Sequence, residues 1–554
     1  MSTTETPRAA EVHVTDINGI PAVWAEVPGP YRAGLTVRVG HSDETLARSG
    51  VTHMLEHLAL YGLDRPGDHS NGHVDWTTLA LHVAAEPDDA AQFLTRAAHQ
   101  LVDPPVSRLA DEKGVLRAER AQRSPNPLYE LQAWRWGAAG YGLDAIGEEY
   151  GLLTLDPDAV RAWSAAWVNR NNAVLWFTGP PPAGLRIALP DGERRPTVDP
   201  YASPLPQLPA HFRSDARVVA VHGLVSRSAA AVALAGVLRG RLVDDLRVRR
   251  AAAYSPDVGY RPLSGSTAAL VAFSDIVERH EPEVVRRVLE SLRELTWPEF
   301  APREEELDAH RTIARRGMAA AEEGLLGSTA WNLLHGAPAR TREELEAELD
   351  GLTPEDVQSA AAELSETLLA QVPRRVFVPP EWPAAPLSVA APVTGGTSYP
   401  HLAIRSRLRV APAGVTLSDQ SSSLTVRSDR VAALLQWADG GRTLIGTDGL
   451  HLRIEPTVWF RGRAAVALVD AAVPAELRVP LGTRPVEAVP HVPVGRRVKR
   501  VLTAPATLAV FAMLVVGIAL VGARQVSDGR PFFAPGFFAL MFAVSALLRS
   551  RDAP

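Results

Sequence analysis

The chain has 554 residues, of which 46% are hydrophobic and 22% charged, and its formal net charge is −6. This length exceeds one hydrophobic core and the composition is that of folded protein, so we expect three to four domains. The negative net charge and the lack of a dense Lys/Arg stripe give no electrostatic case for nucleic acid as a partner. The absence of cysteine excludes disulfide bonds and Cys-ligated metal, and it fits a reducing compartment.

Residues 11–190 mix strand and helix patterns, and they predict an α+β lobe. The residues before them are polar and acidic, so no secretory signal is expected. Apolar periodicity and turn residues give the predicted elements of this lobe. In chain order these are strands over 11–40, a helix over 45–63, a strand over 71–85, helices over 88–102 and 107–123, and a strand over 172–179.

A second α+β lobe is predicted over residues 205–378, after a Pro-rich and charged linker. Its order of elements echoes that of the first lobe, without a strong repeat of individual residues. Another Pro-rich linker then leads to short alternating strands with Gly-containing turns over 399–489, which predict a small β-rich domain.

Two uncharged stretches, 501–523 and 531–548, predict a two-helix membrane hairpin over 501–548. Basic residues flank the outer ends of both stretches, so the positive-inside rule places both ends in the cytoplasm. We therefore expect a location at the inner or plasma membrane, with membrane lipid around the hairpin and the catalytic part in the cytoplasm.

Residues 53–57 (His-Met-Leu-Glu-His) lie in a predicted helix and carry the strongest chemical signal in the chain. His53 and His57 are four positions apart, so both imidazoles leave one face of a helix and can reach one metal ion. Glu56 lies near that face without having to be a ligand. The order is the reverse of the His-Glu-x-x-His zinc motif, and the geometry works equally well.

A catalytic zinc ion takes three protein ligands and leaves its fourth position to water. The third ligand is therefore expected to be an acidic residue on another element. Glu112 and Glu119 lie two turns apart on one face of the predicted helix 107–123, and either could serve.

Three segments, 39–44, 50–58 and 112–119, resemble the core signature of the pitrilysin/insulinase family of inverted-motif zinc peptidases. The resemblance covers about residues 11–378, in the two-lobed layout of the mitochondrial-processing-peptidase-like branch. It implies that Glu119 is the third zinc ligand and that Glu112 is a supporting acidic residue. The interval between His57 and Glu119 is shorter than is usual in that family.

The same resemblance implies how substrate is held. Residues 71–74 (Asn71, Gly72, His73 and Val74) resemble the strand whose edge pairs with the substrate backbone. Arg247 and Tyr254 match an Arg-x6-Tyr pair that helps to hold substrate. Two lobes form half of the closed chamber typical of the family, so a homodimer or heterodimer is expected, in which this pair completes either its own site or the partner's.

Together these features predict a membrane-anchored zinc metalloendopeptidase that acts on peptides or unfolded small proteins. Glu56 is the expected general base, Tyr254 an extra donor to the oxyanion, and Arg247 a ligand of substrate carbonyls. Two alternatives stay open: a catalytically silent peptide-binding or scaffold subunit, and a protease dedicated to one precursor peptide. The complete motif set favours catalysis.

Overall fold

The computed structural model of this chain describes residues 11–493, apart from 64–68, 123, 125, 147, 148 and 321. Within these ranges the chain forms two α+β lobes and a smaller β-rich domain. The mixed α+β class and the two lobes were predicted from the sequence.

The first lobe is built on one six-stranded sheet with helices on one side. Its strands are β1 (His13–Ile17), β2 (Ile20–Trp24), β3 (Arg32–Val37), β4 (His69–Val74), β5 (Leu79–Ala84) and β6 (Ala173–Phe177). The sheet order is β1-β2-β6-β3-β5-β4, with only β2 and β6 parallel. The helices are α1 (Val51–Leu60), α2 (Pro87–Val102), α3 (Leu109–Gln122), α4 (Leu128–Trp136), α5 (Leu143–Ile146) and α6 (Pro157–Trp167).

Two predicted elements of this lobe differ from the structure. The helix expected over 45–63 is a short 3-10 turn (Leu46–Arg48) followed by α1, because Gly50 has a φ of 89° and interrupts the helical backbone. The strand expected over 71–85 is a hairpin of β4 and β5, closed by a backbone hydrogen bond from Asp75 to Thr78. Alternation alone does not reveal a turn inside a run of strand-forming residues.

The second lobe repeats the sheet of the first. Its strands are β7 (Ala210–Ser214), β8 (Val218–Ser226), β9 (Asp257–Pro262), β10 (Thr267–Asp275) and β11 (Leu369–Pro373). The order β7-β11-β8-β10-β9, with only β7 and β11 parallel, matches β2-β6-β3-β5-β4 strand for strand. Its helices are α7 (Ala229–Leu242), α8 (Glu281–Glu294), α9 (Glu304–Ala320), α10 (Glu322–Leu334), α11 (Arg342–Gly351) and α12 (Pro354–Ser365), and a π-helical turn (Val243–Arg249) extends α7.

The two lobes share apolar contacts. One contact is made by α10, which packs against the sheet of the first lobe through Leu326, Ala330 and Leu334, beside Val23 and Val174. Another is an aromatic cluster in which the rings of Trp76, Trp136 and Tyr141 meet aliphatic side chains of the second lobe. The side chains in both contacts are almost fully buried, which stabilises the lobes against each other.

The β-rich domain contains two four-stranded sheets and one helix. Its strands are β12 (Thr397–Pro400), β13 (Arg407–Ala411), β14 (Gly414–Ser418), β15 (Ser423–Arg427), β16 (Val431–Trp437), β17 (Arg442–Gly446), β18 (His451–Ile454) and β19 (Arg478–Leu481). The sheet orders are β12-β13-β14-β15 and β18-β17-β16-β19. The helix, α13 (Gly462–Ala472), was not predicted from the sequence.

The prediction of a membrane location is corrected by the structure. Among the helices it describes, none combines the length and the apolar character needed to cross a membrane. The hairpin predicted over 501–548 lies outside the described residues.

An ion pair between α7 and α9 makes the stability of the second lobe depend on pH. Arg241 donates from Nε and Nη2 to the two carboxylate oxygens of Glu306, at 2.8 Å each. Burial raises the pKa of Glu306, but these hydrogen bonds and one from the backbone of Arg303 outweigh it and lower the pKa to about 2. The carboxylate therefore stabilises the fold above its ordinary pKa of 4.5, and this contribution is lost as the pH falls towards 2.

We expect Glu306→Gln to lower the free energy of unfolding at pH 7 by about 1–3 kcal/mol, because a charged hydrogen-bond acceptor is removed. The difference from wild type should shrink between pH 4.5 and pH 2. Urea unfolding at several pH values measures it, and Glu305→Gln, at an exposed neighbouring position, serves as the control. Equal effects of the two substitutions would contradict the assignment.

Candidate metal centre and active site

The N-terminus of α1 is fixed by a buried carboxylate. Glu44 accepts hydrogen bonds from the backbone N–H groups of Gly50 and Thr52, both at 2.8 Å. The N–H groups at the start of a helix have no carbonyl partner within the helix, so these two donors need an acceptor from elsewhere. A carboxylate is favourable here because the N-terminal end of the helix dipole is positive. Burial raises the pKa of Glu44 to about 7, although the hydrogen bonds oppose this.

One face of α1 packs into the core, and the opposite face carries the two histidines. Met54, Leu55 and Leu58 are completely buried. The imidazole rings of His53 and His57 lie 5.0 Å apart between centroids. The spacing of four residues therefore places both rings on one face, as the sequence predicted.

Glu119 on α3 completes a three-residue cluster. Its Oε2 lies 3.6 Å from Nε2 of His53 and 3.6 Å from Nε2 of His57. One ligand atom from each of the three residues lies within 4.8 Å of the other two. In the part of the chain that the structure describes, no other group of His and acidic side chains comes together in this way. The three are the residues that the sequence analysis proposed as zinc ligands.

The outer nitrogen of each imidazole faces a second carboxylate. Nδ1 of His57 is 3.3 Å from Oε2 of Glu112, and Nδ1 of His53 is 3.0 Å from Oε1 of Glu149. Both carboxylate side chains are largely buried. A carboxylate that accepts the Nδ1 proton leaves the lone pair of Nε2 free for a metal ion.

Glu149 was missed by the sequence analysis, whereas Glu112 was predicted as a supporting residue. Glu112 stands two helical turns before Glu119, so its place follows from α3. Glu149 lies 96 positions from His53, in a connection after α5, where no periodicity relates it to the motif. Only the tertiary fold brings it to the site.

Glu56 lies beneath the edge of the sheet. Burial raises its pKa to about 7, while His53 lowers the pKa and Glu119 raises it. The backbone of β4 passes directly over this side chain, since a Cβ at Gly72 would lie 2.6 Å from Oε1 of Glu56 and 2.9 Å from its Cγ. A residue with any side chain at position 72 would therefore displace Glu56.

A cavity of about 630 Å³ opens in front of these groups. The histidines, Glu56, Glu112 and Glu119 line one side, and Asn71, Gly72, His73 and Val74 of β4 line the other. β4 is the last strand of the six-stranded sheet, and its side chains alternate between exposed and half-buried positions. The four residues proposed for substrate binding thus border the same cavity as the three proposed ligands.

Arg247 and Tyr254 lie next to each other in the second lobe, away from this cavity. The guanidinium carbon of Arg247 is 5.3 Å from the centre of the Tyr254 ring, and Tyr254 is 73% exposed. Neither residue belongs to the lining of the cavity at the histidines. Within one chain the fold does not bring this pair to the metal cluster.

Gly50 lies at the N-terminus of α1, directly against residues 149–152, which we call the Glu149 segment. Its φ of 89° is unfavourable for other residues, and an added Cβ would lie 3.0 Å from Cβ of Glu149. We expect Gly50→Ala to lower the free energy of unfolding by about 1–2 kcal/mol from backbone strain alone. Thermal or urea unfolding measures this change.

Gly114→Ala is the matched control, because Gly114 is exposed in α3 and no atom lies within 4 Å of its added Cβ. It should raise the free energy of unfolding by about 0.5–1 kcal/mol, since Ala favours a helix over Gly. If Gly50→Ala were also neutral or stabilising, the strained N-terminus of α1 would be ruled out.

Comparison with known sequences gives one curated relative and no matching family model. The relative is coenzyme PQQ synthesis protein F of Pseudomonas aeruginosa, which is 30% identical over 191 residues. The match covers 29% of this chain and 24% of the relative, so the chain spans about a quarter of the length of the protein that it matches.

Comparison with solved structures finds the same fold in M16 peptidases. A peptidase M16 inactive domain from Pseudomonas fluorescens aligns with a TM-score of 0.52 and 16% identity, over 66% of this chain and all of that chain. Pitrilysin aligns with a TM-score of 0.53 and 15% identity, over 68% of this chain and 46% of pitrilysin. These likenesses and the curated relative agree with the resemblance inferred from residues 39–44, 50–58 and 112–119: this chain is similar to the pitrilysin/insulinase (M16) peptidases and has their two-lobed fold.

Proposed function

We propose that this chain is a zinc metalloendopeptidase that hydrolyses peptides or unfolded small proteins. The observation that carries this proposal is the position of Glu56. Its buried carboxylate lies beside two imidazoles and an acidic ligand group, beneath an edge strand, in one open cavity. A general base, a metal-binding group and a surface for an extended peptide are thus within reach of one bound peptide.

The residues at the cluster fit a zinc ion. Two imidazole nitrogens and one carboxylate oxygen are a common donor set of catalytic zinc, and they leave one position open. Four carboxylates (Glu56, Glu112, Glu119 and Glu149) surround the two imidazoles, and a dication compensates this excess of negative charge. When bound, zinc supplies Lewis-acid chemistry that acidifies water and polarises a peptide carbonyl.

Glu56 is the residue proposed to move the proton. Its carboxylate accepts a proton from the attacking water and later delivers it to the nitrogen of the leaving amine. Burial favours this role, because it raises the pKa of Glu56 to about 7 and brings the affinity for a proton close to neutral pH.

Substrate binding is proposed at β4. An extended peptide that pairs with the backbone of Asn71–Val74 gains hydrogen bonds without a demand for particular side chains. Such a peptide runs past Glu56, because the backbone at Gly72 contacts that side chain. We therefore expect the protein to select substrates by their unfolded conformation rather than by their amino-acid sequence.

The proposed dimer offers a role for Arg247 and Tyr254. Since the pair does not line the cavity of its own chain, we propose that it binds substrate carbonyls at the cavity of a second subunit. A homodimer or a heterodimer satisfies this requirement equally well.

One comparison favours the alternative of a silent peptide-binding or scaffold subunit, because an M16 domain described as inactive has the same fold. The side chains favour catalysis, since the three ligand groups and Glu56 lie together in this chain. A protease dedicated to one precursor peptide is a narrower form of the main proposal.

We expect Glu56→Gln to keep the zinc ion and to lose peptide cleavage by a factor of about 10²–10⁴, because only the proton acceptor is removed. Zinc per chain is measured by atomic absorption, and cleavage is measured with a library of quenched fluorescent peptides. Glu119→Gln is the companion variant, and it should lose zinc as well as cleavage.

Two results would decide against a peptidase. Wild-type protein that binds zinc and cleaves no peptide, alone or with a partner subunit, would support the scaffold alternative. If the wild-type protein takes up no zinc, the proposed metal site is wrong.

Gly72→Ala tests the contact between β4 and Glu56. The new methyl group displaces the carboxylate, so kcat should fall by about 10–100-fold while KM and zinc content change little. Gly259→Ala is the matched control, since Gly259 occupies the corresponding edge strand β9 of the second lobe and its added Cβ contacts nothing within 4 Å. Full activity of Gly72→Ala would mean that the methyl group is accommodated without displacing the Glu56 carboxylate from its working position.

A further inference from the structure

We propose that Glu149 is the positioning residue of His53, and that the β-rich domain holds Glu149 in place. This inference rests on the proposed zinc site and adds to it a residue and a domain that lie outside the zinc-peptidase motif. It gives the 399–489 region, for which the sequence indicated no chemistry, a part in the metal centre.

The contact between Glu149 and His53 has the geometry of a ligand-orienting hydrogen bond. Oε1 of Glu149 is 3.0 Å from Nδ1 of His53, and the Glu149 side chain is only 9% exposed. The opposite nitrogen, Nε2, faces Glu119. When Nδ1–H donates to Glu149, the ring cannot rotate freely and Nε2 presents its lone pair to the metal position.

The Glu149 segment packs against residues 48–50, which lead into α1. An added Cβ at Gly151 would lie 2.3 Å from the carbonyl carbon of Arg48 and 2.5 Å from the carbonyl oxygen of Ser49. One at Gly50 would lie 3.2 Å from Cγ of Leu152. Backbone and side chains are therefore in direct contact here, and movement of one segment moves the other.

The β-rich domain packs against the first lobe next to the Glu149 segment. A hydrophobic cluster joins it to the first lobe, and Ile146 and Tyr150, which flank the Glu149 position, pack against that cluster. The first lobe contributes Leu46, Ala47, Ala138 and Leu143, and the β-rich domain contributes Ala432, Ala433, Leu435, Ile445 and Val479. All nine of these side chains are nearly or completely buried.

A backbone contact fixes the same interface. The N–H of Ala138 donates to the carbonyl oxygen of Thr447 at 3.0 Å, and an added Cβ at Gly137 would lie 2.1 Å from that oxygen. Because α5 begins at Leu143, shortly after this contact, and both Leu143 and Tyr150 pack in the shared cluster, the β-rich domain limits where α5 and the Glu149 segment can lie. A metal ligand is thus oriented through a carboxylate whose position depends on another domain.

The first test compares zinc affinity of the metal-free full chain and of Glu149→Gln, by competition with a chromophoric chelator. We expect the affinity to fall about 10–100-fold, which is the usual effect of mutating the carboxylate that orients a metal-ligating histidine; the glutamine oxygen still accepts a hydrogen bond but carries no charge. The absorption spectrum of bound Co²⁺ should change as well, while the melting temperature of the metal-free protein stays the same. Glu26→Gln, at an exposed position in the same lobe, should leave all three unchanged.

The second test separates the domain contact from general destabilisation. Ile445 and Leu444 are consecutive residues of β17 on opposite faces; Ile445 packs in the shared cluster and Leu444 in the core of the β-rich domain. We expect Ile445→Ala to weaken zinc binding and Leu444→Ala to leave it unchanged, although both lower the melting temperature.

The outcomes distinguish the two proposals. If the wild-type chain binds no zinc, the proposed function and this inference fall together. If the wild-type chain binds zinc and Glu149→Gln binds it equally well, only the role of Glu149 is overturned. If Ile445→Ala and Leu444→Ala have equal effects on zinc affinity, the β-rich domain has no specific part in the site.

Discussion

The fixed position of α1 in the core of the first lobe is the constraint on which the rest of the site depends. Its apolar face is completely buried, and Glu44 holds its first turn by two backbone hydrogen bonds. A helix fixed in this way cannot rotate without exposing Met54 and Leu55 or leaving buried N–H groups without partners. The positions of His53 and His57 in space therefore follow from core packing rather than from a metal ion.

Around this helix, the remaining groups come from separate parts of the chain. α3 brings Glu112 and Glu119, β4 covers Glu56, and the segment after α5 brings Glu149. Each contact is close, so a small shift of any element changes the spacing of the three proposed ligands or the position of the Glu56 carboxylate. Precise placement of this kind requires support from surrounding residues, which the β-rich domain supplies on the side of Glu149.

The second lobe has the same sheet as the first but lacks the two histidines, so the fold alone does not provide the candidate metal ligands. Its sheet has the same strand pairing, and α7 follows β8 as α1 follows β3. The sequence of α7 is largely Ala, Val and Leu and contains no histidine. The second lobe instead packs α10 on the sheet of the first and carries Arg247 and Tyr254 at a distance from the cavity.

The sequence by itself predicted the α+β class, the two lobes and a helix with His53 and His57 on one face, because these depend on local periodicity and on a motif within one helix. It left Glu112 and Glu119 as equal candidates for the third ligand, and only the family resemblance pointed to Glu119. It did not reveal the break at Gly50 or the turn between β4 and β5, which interrupt otherwise continuous patterns. Only the tertiary structure decided that Glu149 meets His53, that Gly72 touches Glu56 and that Arg247 and Tyr254 lie elsewhere. Such contacts join residues far apart in the chain, where no periodicity relates one position to another, and packing alone sets the distance between them.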